Sequence, residues 1–255
     1  MIEWSDDGIV LSARRHGESG AIVSLLTRAH GRHAGLVLGG AGRRARGIYE
    51  PGNRVSATWR ARLSEHLGHY ACELAESRAA ALLDDALRLA ALTSAAGLLD
   101  AALPEREPHE RLYDALNELV LRLCDPVTGV SWPALYVRFE LDVLTEPGFG
   151  LDLSRCAATG GSDDLAYVSP KTGRAISVAA GEPYRDRLLS LPSFLARRAQ
   201  ANGVPPSDIL NGLRLTGFFL EQHVFAHQQP GAPAGRSTLP AARERLIAIL
   251  KRRTA

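Results

Sequence analysis

The ten residues from Arg54 to Leu63 alternate without exception. Val55, Ala57, Trp59, Ala61 and Leu63 are apolar, and Arg54, Ser56, Thr58, Arg60 and Arg62 are polar or charged. A period of two sends successive side chains to opposite faces of a pleated strand, so this stretch is expected to be a strand with one packed face and one cationic face. Its neighbours read the same way. Gly8 to Arg15 and Ala21 to Arg28 carry β-branched and leucine-rich runs around a Gly17-Glu18-Ser19-Gly20 turn. His30-Gly31-Arg32 then turns the chain into a third strand, His33 to Leu38. Gly39 to Gly42 leads into Arg43-Arg44-Ala45-Arg46-Gly47, read as a flexible basic loop, and Leu67 to Ala75 offers a fifth strand with Tyr70, Cys72 and Leu74 on one side. Five short strands within about seventy residues fit a small barrel such as an OB-fold.

Near Ser77 the periodicity becomes helical. Residues 79 to 103 are rich in alanine and leucine, and Pro104 and Pro108 bracket a loop. Leu112, Tyr113, Leu116, Leu119, Val120 and Leu123 recur at the spacing of a buried helix face. Trp132, Leu135, Tyr136, Phe139 and Val143 do the same, behind Ser131 as N-cap and Pro133 in the first turn, and Pro147-Gly148 ends that helix. Helical spacing alone makes both stripes core. Residues 150 to 182 lose periodicity and read as a loop-rich insert; helices are expected to resume at about 184 to 202, 207 to 228 and 239 to 253. The class is therefore α+β: an OB-fold nucleic-acid-binding domain at 1–78, followed by an all-α domain at 79–255 with a loop-rich insert.

A net charge of +2 conceals a strong asymmetry. Between Gly8 and Arg62 ten arginines face two acids, Glu18 and Glu50, for a local charge of +8. From Arg236 onward six basic residues face Glu244, for +5. Two basic ends around an acidic middle suggest a polyanion partner. Of the 30 basic residues only Lys171 and Lys251 are lysine, a bias that coding preference or function explains equally well. Guanidinium forks are in either case suited to bidentate phosphate contacts. No run reaches the roughly 20 apolar residues of a membrane span, and the stretch Met1 to Asp7 is acidic where a secretory signal is basic. The chain is therefore expected in the cytoplasm. Cys72, Cys124 and Cys156 cannot pair evenly, which argues against a disulfide framework.

Catalytic patterns are missing at the required spacing. The glycine-rich segment at 39 to 47 has no following Lys to reach a phosphate, and Gly17-Glu18-Ser19-Gly20 lacks the spacing of a nucleophile elbow. His223 and His227 stand four apart, but Val224-Phe225-Ala226 between them lacks a zincin glutamate, so both are read as residues near a helix C-terminus. Glu65-His66 and His69 fall at a turn. Cys156-Ala157-Ala158-Thr159 has the spacing of half a zinc knuckle without the other half, a degenerate knuckle-like loop within 150–182.

Several of these stretches together resemble the RecO family of bacterial recombination mediators. Gly8-Ile9-Val10-Leu11 followed by Arg14-Arg15-His16-Gly17-Glu18-Ser19 resembles its opening strand and turn. Leu25-Leu26-Thr27-Arg28-Ala29-His30-Gly31-Arg32 resembles its second strand and hairpin, and Gly40-Ala41-Gly42-Arg43-Arg44 a basic run that follows. The order of elements agrees over essentially the whole chain. The resemblance implies an N-terminal OB-fold, a helical C-terminal domain, annealing of complementary DNA strands, and loading of recombinase onto DNA coated by single-strand-binding protein. It also implies RecR and the C-terminal tail of single-strand-binding protein as partners. Members often carry a four-cysteine zinc motif; here only Cys156 remains, Thr159 stands where the next cysteine would be, and Ser169-Pro170-Lys171-Thr172-Gly173 occupies the region of the second pair. No zinc or other cofactor is expected, with the loop held by Asp, Ser and backbone hydrogen bonds.

The candidate contacts to single- and double-stranded DNA are Arg14, Arg15, Arg28, Arg32, Arg43, Arg44, Arg46, Arg60 and Arg62. Phosphate contacts from such a set are independent of sequence. Aromatics are sparse, with Tyr49, Trp59 and Tyr70 the main ones, and alternation puts Trp59 in the core. Backbone binding with little base preference is the expectation. Lys251-Arg252-Arg253 either extends the patch or is a solvated helix end. An OB-type RNA-binding protein would show the same charge pattern; an enzyme would have only His223, His227, Glu221 and Cys156 to work with.

Overall fold

One long strand lets the N-terminal residues close into a barrel. In the computed structural model, which describes residues 1–125, 131–196, 203–226 and 238–254 apart from the side chains of Arg44 and Thr254, β1 (Ile2–His16) changes partner along its length. Its first half pairs antiparallel with β4 (Arg54–Ala61) and its second half with β2 (Gly20–Thr27). A register shift between Val10 and Ser12 lies near that handover, and such a bulge bends a strand. β3 (Gly31–Val37) pairs with β2, β5 (His69–Glu76) pairs with β4, and a parallel pairing of Leu36 with His69 closes the order β1-β2-β3-β5-β4. The five strands are those expected from the sequence, but β1 starts six residues before Gly8, because the polar positions Glu3, Ser5 and Asp7 continue its alternation opposite β4.

Val10, Val23, Leu25, Val55, Ala57, Trp59 and Tyr70 fill the barrel. The Trp59 indole Nε1 donates to the Leu67 carbonyl at 2.9 Å, which satisfies its polar atom inside the core. Gly68 must be glycine: its φ is +63°, and a Cβ there would stand 2.4 Å from that same Nε1. Arg43 to Arg46, expected in a flexible loop, forms a single helical turn, α1 (Arg43–Arg46). The turn is tied to the core on its far side. Tyr49 is buried and its N–H donates to the Ala45 and Arg46 carbonyls, and the Asn53 side-chain amide donates to the Gly47 and Ile48 carbonyls.

The Asn53 side-chain Oδ1 accepts from the Ala79 N–H at 3.0 Å, where the chain leaves β5 for a 3₁₀ turn and then α2 (Ala86–Ala102). Asp85 caps α2 through the N–H groups of Leu87 and Arg88. The Ser12 and Ser24 hydroxyls donate to the two oxygens of Asp100 at 2.8 and 2.6 Å, which fastens α2 to β1 and β2. The connector to α3 (Glu110–Cys124) runs beside β3, with Arg32 bridged to Glu105 and the Arg106 N–H bonded to the Arg32 carbonyl at 2.7 Å. All six expected stripe residues of α3, from Leu112 to Leu123, are buried. The first compact unit comprises Met1–Asp125 with Pro240–Leu246, the second Pro126–Leu239 with Ile247–Ala255.

In the second unit α4 (Trp132–Thr145) buries Tyr136, Phe139 and Val143 but leaves Trp132 and Leu135 half-buried, and it carries a fully buried Glu140 that the apolar stripe did not reveal. Glu140 accepts from the Thr216 hydroxyl of α7 (Pro206–Leu220). The loop-rich insert contains a small antiparallel sheet. β6 (Leu165–Val168) is flanked by β7 (Ala175–Ser177) and β8 (Leu189–Ser190), strands too short for a period of two to register in the sequence. A helical turn, α5 (Val178–Gly181), follows β7. The helix expected over 184 to 202 is absent among the described residues, where a 3₁₀ turn, β8 and α6 (Ser193–Ala196) replace it. Pro192 disfavours helical backbone at Leu191, whose N–H instead donates to Ala166 at 2.8 Å. Past α7 the helix widens into a π turn at Glu221–Phe225, and α8 (Ala241–Thr254) is the last element. No helix among the described residues is long and apolar enough to cross a membrane.

Candidate nucleic-acid interface

The structure describes the side chains of eight of the nine candidate arginines, all but Arg44, and divides them into two sets. On β4 the cationic face is already matched by acids. Glu3 lies directly opposite Arg60 in the β1–β4 register and accepts from its guanidinium at 2.9 Å. Ser5 and Thr58, also opposite, share a hydroxyl hydrogen bond of 2.8 Å. Arg54 reaches Asp7 at 2.8 Å and Glu76 at 2.7 Å, and these two carboxylates raise its pKa further. The face is thus an ion-pair seam between strands.

Arg28 pairs with Asp114 of α3 and lies over the Tyr113 ring at 4.8 Å, a cation–π contact. Arg32 is more deeply committed: its Nε donates to the Leu103 carbonyl at 2.7 Å, and its Nη1 stands 3.6 Å from Asp100 and 3.5 Å from Glu105. Arg28, Arg32 and Arg60 therefore hold the barrel to its own strands and to the α2–α3 segment.

Arg14, Arg15, Arg43, Arg46 and Arg62 remain. Among the described residues none of them pairs with an acid, and Arg15 donates only to the Glu18 carbonyl, at 2.7 Å. The backbone of Arg44 sits in α1 with Arg43 and Arg46, while its side chain lies outside the described residues. Arg14, Arg15 and Arg46 line one cavity of about 480 Å³, bounded by the end of β1, residues 40–51, α2 and Ala242. Arg62 follows the end of β4 and is not among its lining residues. Five cations thus lack acid partners among the described residues, and three of them surround one cavity; guanidiniums in that state are chemically suited to phosphate.

The aromatic groups are engaged with one another. Trp4 lies opposite Trp59 in register, and the His30 ring stacks on it at 4.0 Å with an interplanar angle of 8°. Trp59 stacks from 5.7 Å, and His30 Nδ1 is 3.1 Å from Asp6. His33 and Tyr70 complete the group edge-on, joined by a 3.1 Å hydrogen bond between the Tyr70 hydroxyl and His33 Nδ1. Burial pushes the His33 imidazole down to about 4, and the nearby Arg106 charge acts in the same direction. Trp59 is core, 1% exposed, as alternation predicts. Trp4, His30 and His33 escaped the sequence reading, although the alternation of Glu3, Ser5 and Asp7 would have placed Trp4 on the inner face of β1.

The zinc that the resemblance raises has one thiol available. Cys156 is buried, and its sulfur accepts from the Ser177 N–H at 3.3 Å. Around it the loop is closed by other means. Asp152 accepts from Ser154 at 2.8 Å and stands 3.5 Å from Arg174, the Cys156 N–H donates to Gly161 at 2.7 Å, and the Gly173 N–H to Ser169 at 2.9 Å. One thiol with hydroxyl neighbours does not fit a tetrahedral zinc site. Among the described residues no group of three or more His, Cys, Asp or Glu gathers as a metal site. His223 stacks on Phe149 at 4.5 Å in the second unit, and His227 lies outside the described residues. Arg252 and Arg253 are exposed on α8.

Two family models match the chain. Residues 1–78 match the family model described as Recombination protein O N terminal, and residues 83–229 the one described as Recombination protein O C terminal. A protein of Rhodospirillum centenum named DNA repair protein RecO is 57% identical over 238 residues, covering 92% of each chain. One of the same name from Methylobacterium nodulans is 55% identical over 251 residues, 97% of this chain and 98% of that one. Another from Rhodospirillum rubrum is 50% identical over 256 residues.

Proposed function

Because the chain belongs to the RecO family of DNA repair proteins, we propose that it acts by binding nucleic acid and partner proteins, not by catalysis, and that Arg14, Arg15, Arg43, Arg46 and Arg62 are its phosphate contacts. Membership places it in DNA repair and recombination. The finer reading is annealing of complementary strands and help in loading recombinase onto DNA coated by single-strand-binding protein, with RecR and the tail of single-strand-binding protein as partners. It works in the cytoplasm, without zinc.

The observation that carries this is the set of five arginines lacking acid partners among the described residues, against a background where Arg28, Arg32, Arg54 and Arg60 are all paired. Annealing requires two polyanions to be brought together with their charge screened and their bases free. Contacts that see only the backbone do this and exchange readily. The test is annealing of complementary oligonucleotides, bare and coated with single-strand-binding protein, by wild type and by a charge reversal of Arg43, Arg44 and Arg46. Wild type should accelerate annealing on both substrates and the variant on neither. Annealing unaltered by the reversal would remove this interface, and displacement of labelled single-stranded DNA by matched RNA at lower concentration than by DNA would favour an RNA partner.

A further inference from the structure

We propose that the cavity lined by Arg14, Arg15 and Arg46 receives one unstacked nucleobase of a bound single strand, while the three guanidiniums hold the phosphates on either side of it. This rests on the reading of the barrel as a nucleic-acid-binding module and specifies what its basic surface grips.

Three features of the first unit lead there. The cavity measures about 480 Å³, within the roughly 300–1,000 Å³ of small-molecule sites. Leu11, Ala21, Gly40, Tyr49, Pro51 and Gly97 give it a largely apolar lining, while among the described residues its charged lining groups are the three arginines and the exposed Glu50. A cationic surround on an apolar chamber matches a ligand with a flat, weakly polar body attached to an anion. A free anion would leave the chamber empty, and a purely apolar ligand would make no use of three cations lacking acid partners among the described residues.

The aromatic cluster supplies the second argument. OB modules that hold single strands commonly stack bases on exposed rings, but Trp4 is stacked by both His30 and Trp59, and Trp59 is buried. A base leaving the strand's own stack therefore finds its apolar shelter in the cavity. Because the lining is mostly aliphatic, the site discriminates little among bases, which suits a protein that must act on any sequence. One nucleotide is pinned while its neighbours stay free to pair.

The chamber can be filled from one side without touching an arginine. Gly97 lies on α2, and a Cβ added there meets only the Ala242 Cβ, at 4.0 Å. Replacing a helical glycine also favours the helix, so Gly97→Met should fold. Fluorescence anisotropy then compares a labelled single-stranded oligonucleotide with an abasic oligomer of equal length and charge, for wild type, Gly97→Met and a second filling variant, Ala41→Phe. Wild type should bind the base-bearing strand about tenfold more tightly than the abasic one. Both filled variants should lose that preference and keep the wild-type salt dependence. Equal binding of the two oligomers by wild type would overturn the cavity inference while leaving the nucleic-acid reading intact; failure to bind either would overturn both. Retention of the preference in both folded variants, or capture of an acidic peptide with an apolar terminus that only wild type binds while oligonucleotide affinities stay level, would also overturn it, the latter in favour of a protein ligand.

Discussion

The division of the arginines makes a quantitative prediction about salt. Each phosphate neutralised on a single strand contributes about −0.7 to the slope of log K against log salt. If all nine candidate arginines met phosphate the slope would be about −6.3, but with only the five that lack acid partners among the described residues it is about −3.5. Raising salt from 50 to 200 mM would then weaken binding about 100-fold for five contacts, against several thousand-fold, roughly 6,000, for nine. Replacing Arg14, Arg15 and Arg46 together by alanine should bring the slope to about −1.4 and the loss over the same range to about sevenfold. Replacing Arg28, Arg32 and Arg60 by glutamine should leave the slope near −3.5, since those charges already face Asp114, Asp100 and Glu3. The assay is anisotropy titration of one labelled oligonucleotide at several salt concentrations. A wild-type slope near −6, or a fall of about 2 in the glutamine triple, would refute the reasoning.

Arg32→Ala should lower the stability of the protein by about 2 kcal/mol, because it strands the Leu103 carbonyl and removes a cation from between Asp100 and Glu105; urea denaturation reads this directly. His33 predicts a pH dependence of definite sign. Its folded pKa of about 4 lies below the unfolded value of about 6.5, so the fold binds fewer protons than the unfolded chain between those values. Stability from this residue is complete above about pH 6.5 and is lost as pH falls towards 4, by no more than about 3 kcal/mol, and His33→Gln should flatten that part of the melting profile. Elemental analysis of purified protein should find no stoichiometric zinc; one zinc per chain would contradict the reading of the Cys156 loop.

The barrel was legible because its strands carry their own periodicity. Val55 to Ala61 alternates strictly and the α3 stripe from Leu112 to Leu123 repeats at helical spacing, so burial followed from pattern alone in both; Leu63, expected on the packed face, lies past the end of β4 and is exposed. What failed were segments governed by partners distant in sequence. β8 is held where the Leu191 N–H finds the Ala166 carbonyl far back in the chain, whereas α1 is closed by near neighbours, Tyr49 and Asn53, that the barrel buries. Charge was misleading for the same reason. The basic window from Gly8 to Arg62 excludes Glu3 and Asp7 just before it, and Glu76, Asp100, Glu105 and Asp114 beyond it, yet these are the acids that fold back onto Arg28, Arg32, Arg54 and Arg60. Local net charge counts residues along the chain, whereas neutralisation depends on register. Of these pairs Glu3 with Arg60 was within reach of sequence reasoning, since both occupy polar positions of alternating runs.

The most direct test of the interface is photocrosslinking of a single-stranded oligonucleotide carrying 5-iodouracil, with the crosslinked peptides identified by mass spectrometry. Crosslinks are expected in the peptides spanning the end of β1 and its turn, around Arg14 and Arg15, and in the 40–51 segment around Arg43 and Arg46. Crosslinks confined to the paired face of β4 around Arg54 and Arg60, or to the second unit alone, would contradict the assignment.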